Sequence, residues 1–140
     1  MVSKPDFDPN KIVQIWDEVV NDDESSVLVN RATQGIYPPG STFKIVSAVA
    51  ALCENIIEDD TIIRDEGVYT KYSDRGYDPE CWIYTNTGGT HGYVTVKSAI
   101  EHSCNYFFYK IGDDMGIDVL DKYASLFGLG EKTGIEVPES

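Results

Sequence analysis

Pro38-Pro39-Gly40-Ser41-Thr42-Phe43-Lys44, followed by Ile45-Val46-Ser47-Ala48-Val49-Ala50-Ala51-Leu52-Cys53, is the stretch whose reading decides this chain. Two prolines and a glycine punctuate a loop. Ser41 or Thr42 then opens a helix predicted to run to about Asn55. That helix is apolar on nearly every side, which predicts burial all round and a central place in the core. Ser41 and Lys44 stand three residues apart and share a face at its head. A serine hydroxyl is a weak nucleophile until a base takes its proton. A lysine is that base only when neutral, and burial lowers its pKa by disfavouring the charged form. The helix N-terminus favours negative charge developing at Ser41. Taken alone, the tetrad also fits an N-cap serine followed by a surface lysine.

Further along, Ser103-Cys104-Asn105 falls between two predicted helices. A second serine can relay a proton between Lys44 and a leaving amine, and an asparagine amide can both donate and accept. Both residues also suit simple helix capping. Thr95 is predicted to cap a helix to about His102. A second helix is expected from Asn105 to Asp114, broken by Gly116, and a third from Asp118 to Phe127, ended by Gly128 and Gly130. Before the decisive stretch, Asn10 is placed as the cap of a helix over Lys11 to Val20, and Ser26 to Tyr37 reads as irregular. Short strands are expected near Thr61 to Ile63 and Val68 to Lys71. Thr85 to Tyr93 reads as a glycine-rich loop, and Thr133 to Ser140 as an extended tail. The result is a mostly α chain with short β pieces.

The two serine motifs together resemble a known set, the S-x-x-K and S-x-N signatures of penicillin-binding proteins and serine β-lactamases. The likeness to class B penicillin-binding proteins goes further. It takes in Asn30-Arg31-Ala32, Tyr37 to Lys44, His91-Gly92, Val94 to Phe107, and Phe127 to Glu139. The resemblance implies the helical subdomain of the penicillin-binding protein/serine β-lactamase-like transpeptidase fold, lacking most of the central sheet. It implies a partial domain over residues 1–140, truncated at both ends. By that resemblance Ser41 is acylated by the D-Ala-D-Ala of a peptidoglycan stem peptide or by a β-lactam, and Lys44 deprotonates it. Ser103 and Asn105 serve the proton relay and substrate binding. Cys104 stands where the β-lactamases carry Asp. The parent protein is expected to be membrane-anchored, with this domain outside the cytoplasm.

Lys132-Thr133-Gly134 mimics the family's third motif, K-T-G. Its setting is a glycine-rich turn before Pro138, a poor strand, and in the family the working motif lies much further along the chain. It reads as a decoy. Without the true strand the chain lacks substrate-carboxylate contacts and an oxyanion N–H, one of which alone is worth about 10²- to 10³-fold in rate. The isolated chain is therefore expected to be inactive, and exposed apolar surface is expected to drive self-association.

The bulk composition agrees with an ordinary globular protein of 140 residues. A formal net charge of −13 argues against nucleic acid or anionic membranes as partners. Three cysteines, Cys53, Cys81 and Cys104, make no disulfide framework. Cys53 reads as a small core residue. The spacings of His91, His102, Cys81 and Cys104 match no zinc pattern, and Asp74 and Asp78 no calcium loop, so no cofactor or metal is expected. Trp82 and Tyr84 read as core or loop packing. No stretch approaches the roughly 20 apolar residues of a membrane span, and the N-terminus does not read as a signal peptide. Two other functions remain open on sequence alone: a serine β-lactamase-like hydrolase, and a non-catalytic β-lactam sensor.

Overall fold

The computed structural model describes residues 4–139; the N-terminal Met1 to Ser3 and the last residue of the expected extended tail lie outside it. The chain forms two compact units. One takes in the chain up to Pro38 and from Lys132 onward, the other runs from Pro39 to Glu131.

In the first unit the Asp8 side chain, rather than Asn10, accepts from Asn10 N at 3.0 Å and caps a 3₁₀ turn over Pro9–Lys11. Pro9 sits where no N–H is needed. Helix α1 is confined to Trp16–Val20. The β-branched run Ile12, Val13 and Ile15 explains the shortening, since such side chains lose rotamer freedom in a helix. A second short helix, α2 (Arg31–Gln34), lies in the segment expected to be irregular. It is capped by Asn30, whose Oδ1 accepts from Ala32 N at 3.1 Å. The Lys132-Thr133-Gly134 triplet is clamped onto Glu139. Thr133 N and Oγ1 each donate to Glu139 Oε2 at 2.8 Å, and Gly134 N donates to Oε1 at 3.1 Å. It is irregular backbone, not a strand.

The second unit is built on helix α3 (Lys44–Cys53), entered through a 3₁₀ turn over Gly40–Phe43. Val46, Ser47, Ala48, Ala50 and Ala51 are buried, and the small alanines let neighbouring helices approach closely. The helix is not covered all round: Ile45 is 53% exposed. Cys53 is exposed as well, correcting its reading as a core residue.

Two strands, β1 (Ile63–Asp65) and β2 (Gly92–Val94), pair antiparallel with Asp65 opposite Gly92. Val68 makes only an isolated bridge to Glu80, so the expected strand there does not form. The expected loop from Thr85 to Tyr93 contains the end of α4 (Trp82–Thr87) and the first two residues of β2. Gly88, at φ +71°, ends α4. Helix α5 (Val96–Glu101) starts with a capping box in which Thr95 N donates to Ser98 Oγ at 2.9 Å. Helices α6 (Asn105–Met115) and α7 (Ile117–Leu126) turn at Gly116 and both pack on α3. Phe107 and Ile111, one turn apart on α6, are wholly buried against Ala48, Ala51, Val94, Val96 and Ala99. Truncating Phe107 to alanine would cost about 3–5 kcal/mol.

Candidate active site

Four side chains meet where the head of α3 faces the α5–α6 junction. Gly40 takes φ +58°, a left-handed turn that suits glycine; it precedes exposed Ser41 at the mouth of the helix. Ser103 Oγ donates to Ser41 Oγ at 2.9 Å. Lys44 Nζ, half-buried, donates to Ser103 Oγ at 2.9 Å, to Ser103 O at 2.8 Å and to Asn105 Oδ1 at 2.6 Å. All four residues chosen from the sequence thus converge. The connection differs in one respect from a direct Ser41–Lys44 contact: among the described residues the hydrogen-bonded path from Ser41 to Lys44 passes through Ser103.

Burial lowers the Lys44 pKa, with opposing contributions from Cys104 and Cys81. The neutral amine is therefore more accessible than in water, and Nζ already lies within hydrogen-bond reach of the Ser103 hydroxyl. Ser103 itself has φ +53°, a left-handed conformation that costs a non-glycine residue about 1–2 kcal/mol. The strained residue is locked from both sides. Its N–H donates to Ile100 O at 3.1 Å, and the next residue donates from Cys104 N to Ala99 O at 2.9 Å. Strain held at a functional position is a common way of pre-organising a side chain.

Directly behind this surface lies a second cluster. Asp65, Cys81, His91 and Cys104 each offer a ligand atom, and these atoms all fall within 4.8 Å of one another. Asp65 comes from the end of β1, and His91 immediately precedes β2, so the strand register brings them together. Gly67 positions Cys81 through the Cys81 N to Gly67 O bond at 2.7 Å. No larger residue fits there, because a Cβ on Gly67 would lie 2.3 Å from the Tyr84 ring. Cys104 is the middle residue of the Ser103–Asn105 motif and the residue before the first turn of α6. Asp65 Oδ2 lies 2.8 Å from His91 Nδ1 and 3.6 Å from Cys104 Sγ; Cys81 Sγ lies 3.5 Å from His91 Nδ1 and 4.0 Å from Cys104 Sγ. A tetrahedral ion holding N, O and S ligands at 2.0–2.3 Å sets them about 3.3–3.8 Å apart.

Burial pushes the Asp65 carboxyl up, but the His91 and Gly67 backbone N–H groups, the His91 ring and Cys81 outweigh it and hold it below the ordinary range. Burial pushes the Cys104 thiol up to about 12, so without a cation it keeps its proton. His91 Nε2 is buried and has no hydrogen-bond partner among the described residues. The ring is fixed by Trp82, edge-on at 5.6 Å between centroids, and by His102, stacked at 6.1 Å. Trp82 also donates from Nε1 to His102 O at 3.1 Å. Sequence spacing missed this cluster because its members span Asp65 to Cys104 with no short pair. Cys81, His91 and Cys104 were visible as possible donors and were set aside on spacing alone; Asp65, the fourth, carried no signal.

A groove of about 440 Å³ lies elsewhere, lined by Tyr69, Tyr72, Tyr77, Tyr109, Asp113 and Leu120 among others. It contains none of the four convergent residues, so cavity size does not mark the chemistry here.

The family described as "Penicillin binding protein transpeptidase domain" matches residues 1–140. Peptidoglycan D,D-transpeptidase MrdA of Escherichia coli K12 is 38% identical over 146 residues, covering 99% of this chain and 22% of that protein. Pseudomonas aeruginosa PBP2, solved in complex with WCK 5153, superposes with a TM-score of 0.85 at 31% identity, covering 100% of this chain and 32% of that one. Penicillin-binding protein A from M. tuberculosis, solved as its imipenem acyl-enzyme, gives a TM-score of 0.80 at 28% identity, covering 99% of this chain and 34% of that one. The chain thus spans about a fifth of the length of its curated relative. With S-x-x-K and S-x-N side chains joined in one hydrogen-bonded path and a family match from end to end, the chain belongs to the penicillin-binding protein transpeptidase domain family.

Proposed function

We propose that this chain carries the acyl-transfer residues of a peptidoglycan D,D-transpeptidase that is also a β-lactam target. The observation that carries the reading is the unbroken path Ser41–Ser103–Lys44–Asn105, each link 2.6–2.9 Å. Ser41 Oγ attacks the carbonyl of the penultimate D-Ala. Its proton passes to Ser103 Oγ as the Ser103 proton passes to neutral Lys44. The ammonium so formed returns a proton through Ser103 to the departing D-Ala amine, leaving an acyl group on Ser41. An amine of a second stem peptide then takes the acyl group, and Lys44 again receives the proton. Asn105 holds Lys44 in place and offers its amide N–H to the substrate. This reading gives Lys132-Thr133-Gly134, tied to Glu139, no part in acyl transfer.

The imipenem acyl-enzyme of a structural neighbour supports serine acylation over a purely structural module. By analogy the domain works outside the cytoplasm; no helix among the described residues is long and apolar enough to cross a membrane. The test is acylation of the full-length protein by a fluorescent penicillin, read by intact mass. One adduct on Ser41, lost in Ser41→Ala and released slowly, is the expected result. Rapid release would point to a hydrolase, and no adduct would overturn the reading. The 140-residue chain alone is expected to remain unlabelled.

A second reading concerns the cluster beneath. Two thiols, an imidazole and a carboxylate, with ligand atoms all within 4.8 Å of one another, suit a borderline-soft cation such as zinc after small side-chain shifts. The donors would replace the Asp65–His91 hydrogen bond by coordination and release the thiol protons. Such an ion would fix Cys104, and with it the backbone carrying Ser103 and Asn105.

A further inference from the structure

Cys81 and Cys104 are each wholly buried, and their sulfurs are 4.0 Å apart. A disulfide needs about 2.05 Å, so closure asks each sulfur to move roughly 1 Å. Cys81 opens α4 and Cys104 precedes α6; both lie at helix starts rather than inside helices, where a side-chain rotation need not break a helical hydrogen bond. Cys53, the third cysteine, is exposed and stands outside this cluster.

We propose that Cys81 and Cys104 are a redox pair whose disulfide disarms the site. The oxidant is a low-molecular-weight disulfide, which meets the thiols only when the cluster opens locally, since in the closed fold both are buried. In the open state one thiol loses its proton to water, and its thiolate attacks a sulfur of that disulfide and releases one thiol. The second thiolate attacks the resulting mixed disulfide and releases the other. The pair loses two electrons and two protons, and the oxidant gains them as two thiols. Closing the bond draws the Cys104 sulfur toward Cys81 and away from Asp65, now 3.6 Å distant. Cys104 is flanked by Ser103 and Asn105, which supply all three acceptors of Lys44. Oxidation therefore pulls on the backbone that sets the proton path. It also removes two of the four donors a cation would use, so a bound cation and the disulfide exclude one another. The consequence for acylation rests on the transpeptidase reading; the disulfide itself does not.

The test uses the full-length protein carrying Cys53→Ala, which removes the competing thiol. It is treated with oxidised glutathione, with and without a chelator, and read by mass and by peptide mapping. The expected product is lighter by two hydrogens and contains a Cys81–Cys104 linked peptide. It forms faster with chelator than with added zinc, and penicillin labelling falls at least tenfold and returns with reductant. Two free thiols after chelation and oxidation overturn the redox pair. A disulfide that leaves labelling unchanged overturns the disarming. A reduced protein that is never labelled while the disulfide still forms would instead count against the transpeptidase reading, and zinc that gives no protection against the cation reading.

Discussion

The two sides of the α5–α6 junction contrast sharply. On the outer side, Ser41, Lys44, Ser103 and Asn105 are exposed or half-buried, and most of their hydrogen bonds are with one another. On the inner side, Asp65, Cys81 and Cys104 are wholly buried and His91 nearly so. Residues 103–105 belong to both, with Cys104 facing inward between two outward neighbours. The outer set forms a continuous hydrogen-bonded path and gives little to the core. Of the inner set Cys81 and Cys104 belong to the core cluster, and the buried polar atoms of Asp65 and His91 have little water to fall back on. Substitutions should therefore separate: outer changes remove activity and spare stability, inner changes remove stability first.

The largest effect is expected at Asp65. Its carboxylate accepts from Gly67 N at 2.8 Å, from His91 N at 2.9 Å and pairs with His91 Nδ1. Asp65→Ala strands two backbone donors and a buried ring, a loss of about 3–4 kcal/mol. Urea denaturation should show that loss, while the fraction still folded keeps normal labelling per molecule if Ser103 holds its place. A stability change under 1 kcal/mol would mean the inner cluster is not structural.

The contrast also explains what could be read from the chain without coordinates. The outer site rests on spacing within one helix and within one tripeptide, so Ser41 with Lys44, and Ser103 with Asn105, were visible as local patterns. The helices carrying Phe107, Ile111 and Tyr123 were visible from their period, and the Thr95 start from its cap chemistry. The inner site depends on strand register: Asp65 reaches His91 only because Ile63 pairs with Val94. No local pattern announces that pairing, and the glycines around residue 90 hid β2 altogether. Cys53 misled because an apolar neighbourhood in sequence turned out to be the open edge of α3, where the side chain meets solvent.

Ser103 offers a sharper split, of intermediate size. Ser103→Gly removes the left-handed strain at φ +53° and the relay hydroxyl together. Stability should stay level or rise by up to about 1 kcal/mol, while the acylation rate should fall by about 10²-fold or more. Ser103→Ala keeps the strain and should lose the same rate without the gain in stability. In the wild type the rate should climb with pH as Lys44 loses its proton, with a midpoint below that of an ordinary lysine. If the glycine variant were acylated at the normal rate, the path would run directly from Ser41 to Lys44.

The smallest effect belongs to a third carboxylate, Asp113, which unlike Asp65 sits at the edge of a groove. Lys71 and Tyr72 donate to it, and Tyr69 OH donates at 2.7 Å. Lys71 and Tyr72 in that order lead the shift that holds its pKa at about 2, below the ordinary 3.8. A carboxylate depressed on folding stabilises the native state above its unfolded pKa, and the gain disappears as pH falls from about 4 to about 2. The full shift would amount to about 2 kcal/mol, and solvent screening at Lys71, the exposed partner of the pair, leaves about 1. Asp113→Asn should flatten the stability–pH curve over that interval by about this amount and leave penicillin labelling at pH 7 unchanged. A curve of unchanged shape would show that the Lys71 and tyrosine bonds cancel between folded and unfolded states. A loss of labelling would show that the tyrosine groove communicates with the Ser41 site through α6, on which both Asp113 and Asn105 stand.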